Sequence, residues 1–164
     1  MKFLLDGMLG SLARWLRICG YEADYVRSLP DEELLRRAAD GGSALLTRDE
    51  LLFRKAQRAG LEAFIVEGDG DAERLASVAR QFDLELGTAT SRCPVCGGSL
   101  SQGDKGELTD RVPARTLRAY DEFWVCDSCG QVFWRGSHWR NIQATLEEAR
   151  ELATPTHGEP EQDL

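Results

Sequence analysis

From residue 3 to residue 82 the chain alternates short apolar runs with stretches whose apolar residues recur every three or four positions. Phe3-Leu4-Leu5 reads as a first strand. Met8 to Cys19 reads as a helix, with Leu9, Leu12, Ala13, Leu16 and Cys19 on one face and Gly20 as its stop. Ala23–Val26 is a weak second strand, and Asp31–Ala39 a helix behind Pro30. Ala44–Thr47 is a third strand, and Glu50–Ala59 a helix closed by Gly60. Ala63–Val66 is a fourth strand, followed by a helix over Ala72–Phe82 with Leu75, Val78, Ala79 and Phe82 on one side. This rhythm predicts an α/β fold, a small parallel sheet with helices on both faces.

The rhythm breaks at Gly87-Thr88-Ala89-Thr90-Ser91, a run of small residues. Beyond it the chain is rich in turn residues and holds four of the five cysteines and three of the four tryptophans. The expected division is a sheet domain over 1–90, a small module over 91–142, a helix over 143–153, and a disordered acidic tail over 154–164. That last helix is plausible from as early as Gly136. A chain of 164 residues buries about two-thirds of its unfolded surface, so the larger part needs no metal or disulfide to fold.

Charge changes the picture only once it is divided. The formal total is −8, which excludes a polybasic nucleic-acid binder. Residues 1–90 hold 12 basic and 16 acidic residues, 91–140 hold 7 and 6, and 141–164 hold 1 and 6. More than half of the excess acid therefore lies in the last 24 residues. The opening Met1-Lys2-Phe3-Leu4-Leu5-Asp6 is too short for a signal-peptide core. No stretch reaches the roughly 18 apolar residues of a membrane helix. A cytoplasmic protein is expected, in which cysteines more often bind metal than pair as disulfides.

Cys93-Pro94-Val95-Cys96-Gly97 and Cys126-Asp127-Ser128-Cys129-Gly130 are two CxxC pairs, each followed by glycine. Two intervening residues let both thiolates of a knuckle face one ion, and the glycine takes the tight turn. Cys93, Cys96, Cys126 and Cys129 thus read as a structural Cys₄ zinc site in a zinc ribbon. A redox pair is the alternative for a single CxxC, but two in one module are unusual for that chemistry. Cys19 sits on an apolar helix face and reads as core.

Asp6 follows the first strand, Asp49 follows the third, and Asp31 opens the second helix. In an open parallel sheet, ligands bind at the carboxyl ends of strands where the winding reverses. Clustered carboxylates there repel one another unless a cation such as Mg²⁺ or Mn²⁺ lies between them. Such an ion activates water against a phosphodiester. Each aspartate also suits a helix N-cap, and both readings stay open. Asp69 and Asp71 are better explained by a turn and a cap. Arg14 and Arg17 are neighbours on the first helix, and Arg48 adjoins Asp49; all three could hold phosphates, or a solvated face could explain the first two. Arg135 and Arg140 lie among Trp134, His138 and Trp139. Arginine with exposed aromatics suits single-stranded nucleic acid, whereas Phe133 and Trp134 could equally cover the zinc module.

Asp6-Gly7-Met8-Leu9-Gly10-Ser11-Leu12-Ala13-Arg14-Trp15-Leu16-Arg17, Gly20-Tyr21 and Leu46-Thr47-Arg48-Asp49 resemble the PIN-like RNase domain first recognised at the C-terminus of the Mut-seven exonuclease. Arg92-Cys93-Pro94-Val95-Cys96 and the run from Cys126 to Trp139 resemble the zinc ribbon that accompanies it. The resemblance covers about residues 1–142. It implies a PIN-like α/β fold and a metal-dependent ribonuclease in which Asp6 and Asp49 hold Mg²⁺ or Mn²⁺, with Asp31 as the third acid. Glu32 and Glu33 adjoin Asp31 and are within reach of the same role. The chain departs from the family pattern at Glu22, where an aspartate is expected, and at Ser11, where a basic residue is usual. The competing expectation is a non-catalytic adaptor whose ribbon binds RNA or protein.

Overall fold

The computed structural model of the protein describes residues 1–155. Of the expected acidic tail, residues 156–164 lie outside the described residues. Four strands, β1 (Lys2–Leu5), β2 (Glu22–Tyr25), β3 (Ala44–Thr47) and β4 (Ala63–Ile65), form a parallel sheet in the order β2-β1-β3-β4. Their connecting helices are α1 (Gly10–Ile18), α2 (Asp31–Gly41) and α3 (Glu50–Arg58), and α4 (Asp71–Phe82) follows β4. The expected α/β sheet with flanking helices is therefore present.

Strand alternation explains the layering. Successive side chains point to opposite faces, so Phe3 and Leu5 of β1 and Leu46 of β3 join Leu12, Leu16, Leu75 and Val78 of α1 and α4. Leu4 and Leu45 point the other way and meet Leu34, Leu52 and Ala56 of α2 and α3. β1 and β3 are the central strands, covered on both faces. That is why they read as continuous apolar runs rather than as alternating ones. Full burial of a leucine or phenylalanine contributes about 1.5–3 kcal/mol, and Phe3, Leu5, Leu16, Leu45 and Leu46 are all essentially inaccessible.

The second unit is an antiparallel sheet of β5 (Leu100–Gln102), β6 (Trp124–Cys126) and β7 (Val132–Phe133), in that order. Phe123, Leu108 and Val112 form its own small core. Between β5 and β6 lie a short 3₁₀ turn (Lys105–Glu107) and α5 (Ala114–Ala119). Neither element was expected from the sequence. The turn is started by Asp104, whose carboxylate accepts the Gly106 N–H at 2.9 Å. The last helix, α6 (Trp139–Ala153), returns to the first unit, where Leu146 and Ala149 enter the core shared with α1 and α4.

Helix starts shift from expectation for local reasons. Asp6 accepts the Met8 N–H on its side chain at 3.2 Å and the Leu9 N–H on its carbonyl at 3.1 Å. This turn delays α1 from Met8 to Gly10. A turn in which Trp139 N–H donates to the Gly136 carbonyl at 3.0 Å likewise puts the start of α6 at Trp139.

Candidate active site and metal centre

β1 is followed by β2 on one side, and the chain then crosses to β3 on the other, so the winding reverses between β1 and β3. Asp6 is the first residue past β1 at that point, and it is 7% exposed. Its backbone N–H donates to the Leu46 carbonyl at 3.3 Å, which fixes it to the neighbouring strand. One carboxylate oxygen accepts the Met8 N–H, and the other accepts the Thr47 hydroxyl at 2.5 Å. Thr47 is fully buried and in turn accepts the Asp49 N–H at 3.0 Å. A hydrogen-bonded chain therefore joins the Asp49 backbone, through Thr47, to the Asp6 side chain.

Asp49 itself caps α3. Its Oδ1 accepts the Leu51 and Leu52 N–H groups at 2.8 and 3.3 Å, as an N-cap aspartate does. Asp31 is the first residue of α2, and Lys55 of α3 reaches it at 3.0 Å. This contact with Asp31, its largest cause, raises the pKa of Lys55, with smaller contributions from Glu32 and Asp49. The three acids thus reach the sheet's carboxyl end from three different elements. Among the described residues, the only group of three or more acidic, histidine or cysteine ligand atoms within 4.8 Å of one another is formed by cysteines. Asp6, Asp31 and Asp49 do not form such a group. Glu22 pairs with Lys2 and Arg92, and Glu33 with Arg36 and Arg37. Arg36 and Arg37 hold the Glu33 carboxyl below its ordinary range.

The arginines divide. Arg14 is exposed on α1 and makes no hydrogen bond or ion pair among the described residues. Arg17, expected as a phosphate contact, is 8% exposed. Its Nε donates to the Ala23 carbonyl at 2.8 Å, and its Nη1 to the Pro94 and Val95 carbonyls, both at 3.1 Å. It is a buried tie between α1, β2 and the first knuckle. The reason is its place on the apolar side of α1, where a charge is tolerated only with such partners. Arg48 is half-buried and donates to the Val66 and Gly68 carbonyls at 3.2 and 2.6 Å, which ties down the loop after β4. Two contacts that sequence reading missed stand beside these. Ser11 Oγ donates to Asp71 Oδ1 at 2.8 Å across the start of α1 and α4, and Lys55 binds Asp31. Neither is visible in spacing, because each joins residues more than twenty positions apart.

A cleft of about 370 Å³ opens elsewhere, beside the edge strand β2, and is lined by Lys2, Arg17, Asp24, Arg37 and Cys96 among others. It contains none of the three aspartates.

The sulfurs of Cys93, Cys96, Cys126 and Cys129 all lie within 4.8 Å of one another. Cys93 and Cys129 are 3.7 Å apart, and Cys96 and Cys126 3.4 Å. A tetrahedron with Zn–S bonds of about 2.3 Å has sulfurs about 3.8 Å apart, so the four fit zinc. Amide hydrogens point at the sulfurs, from Gly98 to Cys96 and from Ser128 and Cys129 to Cys126, each at 3.4 Å. Gly97 and Gly130 have φ of +80° and +77°, the left-handed turn that glycine takes at least cost. The amides of Cys129 and Ser128 pull the Cys126 thiol down to about 6, while burial pushes Cys93 up to about 12. Arg92 donates through its backbone to the Arg17 carbonyl at 2.8 Å, so the ribbon begins by clasping the end of α1.

The fold and site define a class: a parallel α/β domain with an aspartate at its switch point, carrying a Cys₄ ribbon of the zinc-binding kind. The Mut7-C RNAse domain model matches residues 1–146, and the chain belongs to that family. No curated protein and no solved structure matches it.

Proposed function

We propose that the protein is a divalent-metal-dependent ribonuclease that hydrolyses phosphodiester bonds of single-stranded RNA at the carboxyl ends of β1 and β3. The observation that carries this reading is the Asp6 carboxylate. It is buried at the switch point, yet each of its oxygens accepts a single hydrogen bond. A carboxylate oxygen takes about two, and a desolvated one with spare lone pairs favours a cation beside it.

Asp49, whose Oδ1 alone serves its cap, would share the ion with Asp6, and Asp31 is the third acid proposed. Oxygen donors of this kind suit Mg²⁺ or Mn²⁺. When bound, the ion supplies Lewis-acid stabilisation of charge on the phosphate and activation of the attacking water. Thr47 holds Asp6 in its rotamer, and Lys55 holds Asp31. Arg14 is the phosphate contact; Arg48, beside Asp49, ties down the loop after β4, and Arg17 ties α1 to β2 and the first knuckle. The zinc site is structural, because four thiolates leave no open position for water. No helix among the described residues is long and apolar enough to cross a membrane. Cysteines gathered to hold a metal rather than paired as disulfides fit a reducing compartment, and the proposed location is the cytoplasm.

A second reading, a non-catalytic RNA- or protein-binding adaptor, draws on the helix cap made by Asp49 and on the backbone ties of Arg17 and Arg48. A panel of Mg²⁺, Mn²⁺ and Ca²⁺ on single-stranded RNA, duplex RNA and single-stranded DNA separates the two. The nuclease reading expects cleavage of single-stranded RNA with Mg²⁺ or Mn²⁺. Binding without cleavage in every ion supports the adaptor.

A further inference from the structure

Arg135 lies against two indoles. Its guanidinium carbon is 5.4 Å from the ring centre of Trp124 on β6 and 4.8 Å from that of Trp139 at the start of α6. Both tryptophans are half-buried and Arg135 is exposed. Both contacts are of the cation–π kind, and the guanidinium carries the N–H fork that matches phosphate. Arg135 makes no hydrogen bond or ion pair among the described residues. Its neighbour Trp134 is 36% exposed and leans on Phe123, ring centres 6.0 Å apart. The Trp134 indole Nε1 also lies against Gly136, where a Cβ would stand 2.9 Å away. An arginine already held in place and a rigid indole with an open face both bind at low entropic cost.

Along the chain, the stretch that carries Arg135 and Trp134 is free of acid, while Asp121 and Glu122 precede Trp124 on β6. From Ser128 to Leu146, between Asp127 and Glu147, the chain has no acidic residue, although 28 of its 164 residues are acidic. This is its longest acid-free stretch, and it carries Arg135, His138 and Arg140, all exposed.

We propose that Arg135, clamped by Trp124 and Trp139, and the open face of Trp134 form a docking platform for single-stranded RNA on the ribbon. Arg135 takes a backbone phosphate and Trp134 stacks a base. This deepens the ribonuclease reading and rests on it for the choice of RNA, but it requires no cleavage.

The test is fluorescence anisotropy of a labelled oligouridylate of about 12 nucleotides with the full zinc-loaded chain. No Mg²⁺ or Mn²⁺ is added, so failure here and failure of the cleavage reading are separate results. Arg135→Ala and Trp134→Leu should each weaken binding about fivefold or more, the loss of one stacked or forked contact. Arg135→Ala should also flatten the salt dependence by about 0.7 in log–log slope, one phosphate's share. Arg135→Lys keeps the charge and loses the fork, so it should keep the slope and lose affinity. Zinc content of one per chain checks that the ribbon is intact; where Trp134→Leu loses zinc, the two Arg135 variants decide. Wild-type affinity in zinc-loaded Arg135→Ala and Arg135→Lys overturns the proposal. So does a wild-type chain that leaves the oligouridylate unbound, which would give this face to a protein partner.

Discussion

The cysteine centre and the proposed carboxylate site are built in opposite ways. The four sulfurs converge on one point, with amides aimed at them and two left-handed glycines closing the turns. The three aspartates each answer first to a local structural partner: Thr47 and Met8 for Asp6, the first turn of α3 for Asp49, and Lys55 for Asp31. A structural metal site is complete in itself. The three aspartates stay apart, and unscreened carboxylates brought together would repel. The ribbon is tied to the sheet unit by Arg17, which bonds Ala23 of β2 and the Pro94 and Val95 carbonyls of the first knuckle.

The largest effect should come from breaking the cysteine centre. Cys126→Ser removes the thiol at which two backbone amides point and should take zinc from one per chain to near zero. Structural zinc contributes on the order of 10 kcal/mol to small modules. Hydrogen exchange should then show residues 93–133 open while the four-stranded sheet stays protected. Full zinc content in that variant would contradict the assignment.

Next comes the tie between the ribbon and the sheet unit. Arg17→Met leaves the carbonyls of Ala23, Pro94 and Val95 without their donor and should cost about 3 kcal/mol in urea unfolding. A change within error would show that the ribbon and sheet are energetically independent.

The fifth cysteine sharpens the contrast, because the same residue type behaves oppositely when apolar groups surround it. Burial raises Cys19 to about 11 from 9.0. Its folded pKa lies above the unfolded value, so the unfolded chain loses its proton first as pH rises. This contribution is intact below about pH 9, and about 3 kcal/mol is lost between pH 9 and 11. Cys19→Ala should remove that share of the alkaline decline seen in chemical denaturation. An unchanged decline would mean the thiol ionises in the folded state.

A smaller effect should follow from loosening the carboxylate centre. Thr47→Val keeps the shape but takes the hydroxyl from Asp6 and from the Asp49 N–H. It should cost about 2 kcal/mol and lower the rate of RNA cleavage more than it lowers RNA binding. Equal losses in both would make Thr47 a fold residue alone.

The sheet, its helices and the cysteine set were legible in the sequence because their signals are local. Strand runs, helical periodicity and CxxC-Gly knuckles each fit within about a dozen residues. The position of Asp6 at a strand end was legible for the same reason. Arg17 was not. A cation on a helix reads as solvated or ligand-binding, and only the fold puts Pro94 and Val95 over it. The contacts of Arg48 were hidden in the same way, since its carbonyl partners lie 18 and 20 residues on. The 3₁₀ turn and α5 escaped because short polar helices carry little periodicity. The clamp on Arg135 depends on Trp124 and Trp139, 15 residues apart and on different elements.

The central claim is that Asp6 and Asp49 make the β1/β3 switch point a metal-dependent ribonuclease site. Its most direct test is Mn²⁺-dependent cleavage of single-stranded RNA by the Asp6→Asn/Asp49→Asn double variant, with circular dichroism and zinc content as checks of the fold. The account predicts a folded, zinc-loaded chain whose cleavage falls to background. Wild-type cleavage in that variant would contradict it.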